Sequence, residues 1–294
     1  MSQNALKILS WDKIADIWSK YTAPLRPTPK TINFYRNAVI ESLHENRSIK
    51  VLILGATPEI RDMFEEFKFS VEVICSDLSL EMYIAMSSIT SFKNQNEMFL
   101  LSDWNTMPLA QNSFDLILGD GFLTNVIPVL QHSLLSKLRK LLKPTGLLVH
   151  RICYDGLPPN ILNLEELLDK FSIKQSSLET ISDFIMCLQV IASNRVNHFY
   201  SRSQILSLVS KFWNKDLQVF QHPQEHINNL LNHPVFMEFI NADKNWDFNT
   251  DICYETLFKR NFRIVDKVNP DSNRYIYKQI FPNLINIYIL KPLY

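Results

Sequence analysis

Glycine is scarce in this chain. Its 294 residues hold five, at positions 55, 119, 121, 146 and 156, and a dinucleotide fingerprint that needs three closely spaced glycines finds no place among them. The four cysteines, Cys75, Cys153, Cys187 and Cys253, stand far apart without a CxxC pair. That excludes a disulfide framework or a zinc knuckle and fits a reducing compartment. Net charge is also missing: 30 basic and 30 acidic residues cancel, which removes the footprint of a general nucleic-acid binder. No apolar run is long enough to span a bilayer. The first residues carry no basic segment followed by an apolar core and a small-residue cleavage site. The cytoplasm is therefore the expected compartment, with no membrane partner, and oligomeric state has no signature. What is present, 46% apolar and 20% charged residues, describes an ordinary globular protein, one large domain or a core with an attached cap.

Strand and helix signals alternate through the first half. Apolar runs at Val51–Leu54, Val71–Cys75, Met98–Leu101, Phe114–Leu118 and Gly146–Ile152 read as strands, with helical patterns over 58–68, 79–90 and 126–142 between them. The sequence Lys143-Pro144-Thr145-Gly146 reads as a helix stop and turn. Such alternation predicts an α/β fold, a doubly wound and mostly parallel sheet covered on both faces. Two late strands, Phe262–Val265 and Leu284–Leu290, would bring it to seven. Residues 1–45 read as a helical lid, with Trp11, Ile14, Ile17 and Trp18 at helical spacing and a second helix near Thr31–Leu43. Residues 46–156 form the expected ligand-binding core, 157–250 a helical cap without convincing strands, and 251–294 the strands that complete the sheet.

The first strand runs into Gly55-Ala56-Thr57-Pro58-Glu59, the strand-to-helix turn at which open α/β sheets bind nucleotide-like ligands. A diphosphate is poorly served there. Ala56 and Thr57 carry side chains, Pro58 has no N–H, and Glu59 sets a carboxylate in the first helical turn. The same residues suit an adenosine-like ligand that has no phosphate and carries positive charge, as S-adenosylmethionine does. The plain alternative makes Thr57 an N-cap, Pro58 an N1 proline and Glu59 a dipole partner. Asp77 closes the second strand, Asp103-Trp104 the third and Gly119-Asp120-Gly121 the fourth. A carboxylate at the second strand end can accept from both ribose hydroxyls. Each Asp alone could be a turn residue, but their register at consecutive strand ends is harder to assign to chance.

The series VLILGATPEIR, VICSDLS, LLSDWNTMPLAQNSFDLILGDG and LLKPTGLLVHR resembles the motif ladder of class I S-adenosylmethionine-dependent methyltransferases. It is most similar to a bacterial group with a G-x-T-P-E glycine motif and GDW and GDG later motifs. The resemblance covers residues 10–155 and implies a Rossmann-like methyltransferase that moves a methyl group to an O or N atom of a small-molecule acceptor, leaving S-adenosylhomocysteine. It also implies a cofactor set. Gly55 and Thr57 would line the methionine moiety, with Ala56 between them. Asp77 would hold the ribose, Leu78 and Met82 would pack on the adenine, and Asp103 and Trp104 would meet its edge and face. Asp120, with Gly121, would sit beside the methyl-bearing end, and Tyr21, Arg26 and Tyr35 would close over the cofactor from the leading helices. The chain departs from the pattern at Ser102, where the group carries Gly. A nicotinamide-dependent oxidoreductase and a non-catalytic binding or scaffold protein of the same fold are the competing readings.

His150 and Asp120 are the candidate catalytic residues. A histidine at the end of the fifth strand, beside Arg151 and Tyr154, could act as general base for an O–H or N–H acceptor. The competing reading is a hydrogen-bonded strand histidine, and methyl transfer can proceed by alignment without an obligatory base. His222-Pro223-Gln224-Glu225-His226 matches the HxxEH pattern of inverted zinc peptidases. Pro223 and polar surroundings argue against it, and no metal is expected. The aromatics of 157–250, among them Phe184, Phe220, Phe236 and Phe239, read mostly as helix core, with some facing an acceptor pocket.

Overall fold

The computed structural model describes residues 11–12, 15, 17–45, 48–91, 97–153, 163–175, 177–192, 199–200, 202–241, 246–247, 254–270 and 274–294. Seven strands make one sheet: β1 (Ile49–Leu54), β2 (Val71–Asp77), β3 (Glu97–Leu101), β4 (Phe114–Asp120), β5 (Leu142–Cys153), β6 (Phe262–Val268) and β7 (Ile285–Pro292). Their order across the sheet is β6-β7-β5-β4-β1-β2-β3. The strands from β3 to β5 pair in parallel, while β7 runs antiparallel to both β5 and β6. The expected doubly wound, mostly parallel seven-stranded sheet is the observed one.

The two-residue period of a strand sorts the apolar residues between two cores. Val51, Ile53, Leu116, Leu118 and Val149 face one layer, closed by α1 (Pro29–Glu45) and α2 (Pro58–Met63). Their neighbours Leu52, Leu54, Ile117, Leu148 and Ile152 face the other. There, after α3 (Leu80–Ile89), the chain lays α4 (Pro128–Leu141) through Leu134, Leu135, Leu138 and Leu141. Central strands covered on both faces must be apolar throughout, which is why VLIL reads as one unbroken run.

β5 begins at Leu142, four residues before the expected Gly146. Phe114 pairs with Leu142 while Leu116 pairs with Leu147, so the expected turn is absorbed into the ladder as a bulge. A Cβ on Gly146 would lie 3.0 Å from the carbonyl oxygens of Phe114 and Asp115.

Beyond β5 the chain builds a third cluster from α5 (Leu164–Phe171), α6 (Leu178–Ala192), α7 (Arg202–Val209), α8 (Glu225–Leu231) and α9 (Pro234–Asn241). An Asn163/Glu166 capping box starts α5. Two short antiparallel pairs, Phe199–Tyr200 with Trp246–Asp247 and Trp213–Asn214 with Val219–Phe220, lie where no strand was expected; two residues are too few to show a periodicity. Helices α10 (Tyr254–Phe258) and α11 (Ile276–Ile280) flank β6. Trp11, Asp12, Ala15, Ile17 and Trp18 are helical, as their spacing predicts, and Tyr21 and Ala15 join the third cluster. Among the described residues no helix is long and apolar enough to cross a membrane.

Candidate active site

The carboxyl ends of β1, β2, β3 and β4 open into a cleft of about 1080 Å³, roofed by Trp11, Trp18, Arg26 and Pro27. It lies where the strand order reverses, between β1 and β4, the place at which open α/β sheets bind ligands. Gly55 turns the chain out of β1 with φ 92, and a Cβ there would meet nothing within 4 Å. That positive φ disfavours any residue with a side chain. The Gly55 N–H donates to Ser76 O at 2.9 Å. Asp77 completes the turn from β2: its Oδ2 accepts from Ala56 N and its Oδ1 from Ser79 N, each at 3.1 Å. Two acceptor positions of the carboxylate organise the backbone, and a carboxylate has others to offer a ligand. Thr57 makes no side-chain cap bond and lines the cleft instead.

Ser79 is a true N-cap, accepting from Met82 N at 2.9 Å, and its hydroxyl donates to Asp12 Oδ1 at 2.7 Å. One side chain thereby starts α3, which presents Met82 and Met86 to the cleft, and anchors the N-terminal segment. Beyond β3, Asp103 Oδ1 accepts from Asn105 N at 2.9 Å. Trp104 Nε1 donates to Ser76 O at 3.0 Å, so the indole is locked against the first turn. Its ring meets Phe122 edge-on, with centroids 6.0 Å apart. Phe122 also accounts for a glycine: a Cβ on Gly119 would stand 2.3 Å from its ring. This residue is glycine for packing, and the freedom to bend over a ligand is not what it supplies.

Asp120 lines the cleft with its carboxylate paired to Arg151 through Nε–Oδ1 and through Nη2–Oδ2 at 3.0 Å. Arg26 lines it too, and its Nη2 pairs with Glu59 Oε1 at 2.7 Å. Burial pushes the Glu59 carboxyl up, and the Arg26 charge pulls it back. Arg26 Nε and Glu59 Oε2 are buried and lack a hydrogen-bond partner.

Gly55, Ala56, Thr57, Asp77, Leu78, Met82, Asp103, Trp104, Asp120 and Arg26 meet at this cleft. Four expected site residues lie elsewhere. Tyr35 is buried in α1; its hydroxyl donates to Gly119 O at 2.9 Å and accepts from Arg151 N at 3.2 Å, so it braces strand ends. Tyr21 packs edge-on against Trp18 and Phe239, and burial pushes its phenol up. Gly121 takes a left-handed φ of 64 and donates to Arg151 O at 2.9 Å. His150, expected as general base, is fully buried. Its Nδ1 bonds Gly119 O at 3.1 Å and its ring lies 4.0 Å from that of Phe122. Burial, with the Arg151 charge acting in the same sense against the Gly119 bond, pushes it down to about 3. A base sealed from the cleft and this weak cannot take a proton from a bound acceptor.

Phe184, Phe220, Phe236 and Phe239 are buried in the third cluster, away from the cleft lining. His222 Nδ1 accepts from Gln224 N at 3.1 Å, a local cap. Among the described residues no group of three His, Cys, Asp or Glu could hold a metal ion. Tyr154, Gly156 and Phe248 lie outside the described residues. Trp11, Trp18, Asn105 and Asn125 line the cleft without having been expected there. The spacing of the two tryptophans carried a signal; the two asparagines carried none.

Residues 57–150, about a third of the chain, match a family model described as methyltransferase domain. No curated protein matches the sequence. Among solved structures, a provisionally assigned zinc-dependent alcohol dehydrogenase from Rhodobacter sphaeroides is 13% identical, with 100% of each chain covered and a TM-score of 0.58. N-methyltransferase NodS from Bradyrhizobium japonicum, solved with S-adenosylhomocysteine, is 10% identical over 98% of this chain and 100% of its own, TM-score 0.49. A didemethyltoxoflavin N1-methyltransferase from Burkholderia thailandensis is 12% identical over 99% and 87%, TM-score 0.48. At 13% identity the Rhodobacter structure speaks to the fold alone. From Thr57 to His150, which takes in β2, β3 and β4 but not β1, the chain is similar to the methyltransferase domain family.

Proposed function

We propose that the protein transfers the methyl group of S-adenosylmethionine to an O or N atom of a small-molecule acceptor bound beneath an N-terminal lid, residues 1–45. One observation carries the reading. Two strand-end carboxylates, Asp77 and Asp103, converge with Asp120, itself paired to Arg151, on a cleft whose one cationic lining residue among those described, Arg26, is already paired with Glu59. A diphosphate would meet repulsion there, and Pro58 offers it no N–H. A sulfonium and an ammonium would be attracted.

The residues present fit this donor. Asp77 sets a carboxylate where ribose hydroxyls would lie, Leu78 and Met82 offer an apolar face, and Trp104 and Asp103 suit an adenine ring and its amino group. Arg26, in the cleft lining, carries a charge that a ligand carboxylate would meet. The space beside Gly55 admits the ligand's chain. When bound, S-adenosylmethionine supplies an electrophilic methyl group on its sulfonium. The protein's own part is to hold donor and acceptor in line and to exclude water under Trp11 and Trp18. Sealed His150 has no share in the proton transfer.

Calorimetric titration with S-adenosylmethionine and S-adenosylhomocysteine tests the reading. Micromolar binding that falls at least about tenfold in Asp77→Ala is expected, since two charge-assisted bonds are removed. Binding of NADH with no binding of either sulfur ligand would overturn it.

A further inference from the structure

Among the described residues Arg151 is the largest fully buried side chain. It sits in the last turn of the pleat of β5, between apolar neighbours and beside sealed His150. A guanidinium in such a place must find acceptors for its donors, and this one reaches both the wall and the cover of the cleft. Nε and Nη2 take the two carboxylate oxygens of Asp120. Nη1 donates to Pro24 O at 2.9 Å and Nη2 to Leu25 O at 3.0 Å. Pro24 and Leu25 directly precede Arg26 and Pro27, which roof the cleft. One rigid fork thus joins a cleft-lining carboxylate to the backbone of the segment that covers it.

The segment's other polar contacts, Asp12 to Ser79, Arg26 to Glu59, Thr22 to Ser182 and Lys20 to Glu238, are at least partly exposed, and ion pairs and hydrogen bonds in contact with water hold weakly. Ala15, Tyr21 and Leu25 add apolar packing in the third cluster. The Arg151 contact is dry, and its planar fork fixes direction as well as distance. A buried ion pair is a poor way to add stability, because apolar side chains of the same volume do as well. Its value lies in specifying one arrangement.

We propose that Arg151 is a positioning residue: it locks the N-terminal segment closed over the cleft and holds Asp120 facing into it, so that closure and site geometry are set by one side chain. What the closed cleft binds rests on the methyl-transfer reading; the closure itself does not.

The test is Arg151→Lys in the full chain. Lysine keeps the charge but, as a single ammonium, cannot span a carboxylate and two carbonyls together. Trypsin cleavage after Lys20 is followed beside thermal melting and far-UV circular dichroism; Arg26, which precedes Pro27, is not a trypsin site. S-adenosylhomocysteine affinity is read from the emission of Trp11, Trp18 and Trp104. The variant is expected to keep its fold, to be cut in this segment about tenfold faster or more, and to bind S-adenosylhomocysteine about tenfold more weakly. Saturating S-adenosylhomocysteine should slow the cutting again. A purely structural role would instead lower the melting temperature and raise cleavage throughout the chain. Cleavage in the segment at the wild-type rate overturns the proposal, whatever happens to affinity. Faster cleavage where neither protein binds S-adenosylhomocysteine keeps the closure and removes the methyl-donor reading. If Arg151→Lys fails to fold, the neutral pair Asp120→Asn/Arg151→Gln leaves no buried charge and is measured by the same cleavage assay, with the same outcomes deciding.

Discussion

His150 gives a stability signature that can be worked through. The unperturbed imidazole titrates at 6.5, while in the fold burial pushes it down to about 3. Below pH 6.5 the unfolded chain therefore binds a proton that the folded protein refuses, so acid withdraws stability from the fold by about 1.4 kcal/mol per pH unit. Nothing is lost above pH 6.5, and the loss ends only near pH 3. Taking the protein from about pH 7 to about pH 5 should then cost about 2 kcal/mol through this one residue. Asp183 acts the other way. Burial pushes its carboxyl from 3.8 up to about 6, so the folded protein takes up a proton that the unfolded chain declines. Over the same interval it returns about 1 kcal/mol, and the wild-type curve alone understates both effects. The clean measurement is urea unfolding of wild type and His150→Gln at both pH values. Gln keeps a donor for Gly119 O and cannot ionise. It loses the ring contact with Phe122, so the variant starts less stable at pH 7; by pH 5 the gap should narrow by about 2 kcal/mol. A gap unchanged between the two pH values would mean that His150 titrates normally in the fold, and the case for a sealed, non-catalytic histidine would fail with it. The same sealing predicts that His150→Gln retains methyl transfer and leaves the pH–rate profile in place.

Asp183→Asn should show the opposite pH response. Asp183 caps Ile276 N at 2.6 Å and Tyr277 N at 2.9 Å, and the variant should gain on wild type by about 1 kcal/mol as pH rises from 5 to 7, read in the same urea series. A flat difference would place that carboxyl in water. Gly119→Ala drives a methyl into the Phe122 ring, 2.3 Å away, and should cost about 1–3 kcal/mol in chemical denaturation; a neutral result would show that Phe122 moves freely. Gly55→Ala meets open space but must hold φ 92. It should therefore lose about 1–2 kcal/mol of stability and a larger share of S-adenosylhomocysteine affinity, since its methyl projects into the cleft. Unchanged affinity in calorimetry would move the ligand away from this turn.

Where a structural signal repeats locally, the sequence carried it. The run VLIL, the strand-ending Asp77 and the tryptophans spaced along the first helix all declare themselves within a few residues. The bulge in β5 did not. Lys143-Pro144-Thr145-Gly146 has the residues of a turn, and only the pairing of Phe114 with Leu142 converts it into ladder. The reason for a glycine at 119 was not legible in the strand pattern either: the demand comes from the Phe122 ring, three residues on.

The site shows the same division at longer range. Asp77, Asp103 and Asp120 could be read because each ends a strand, and topology brings strand ends together whatever the side chains do. Their partners could not. Arg151 reaches Pro24 and Leu25 across 127 and 126 residues of chain, and Arg26 finds Glu59 only because the N-terminal segment folds back over the first turn. A charged residue inside the apolar strand Leu147–Cys153 was the one available hint, since an arginine is buried there only with acceptors waiting for it. Seen from the fold, that demand inverts the first reading of the strand. The histidine in it, the residue type most often given chemistry, is sealed away by Phe122, while the arginine beside it touches both the roof of the cleft and the carboxylate in its wall. Mutating the two neighbours separates the readings: His150→Gln should alter the acid limb of stability and spare ligand binding, whereas Arg151→Lys should spare that limb and weaken binding. A reversed pattern would return His150 to the active site and make Arg151 a structural ion.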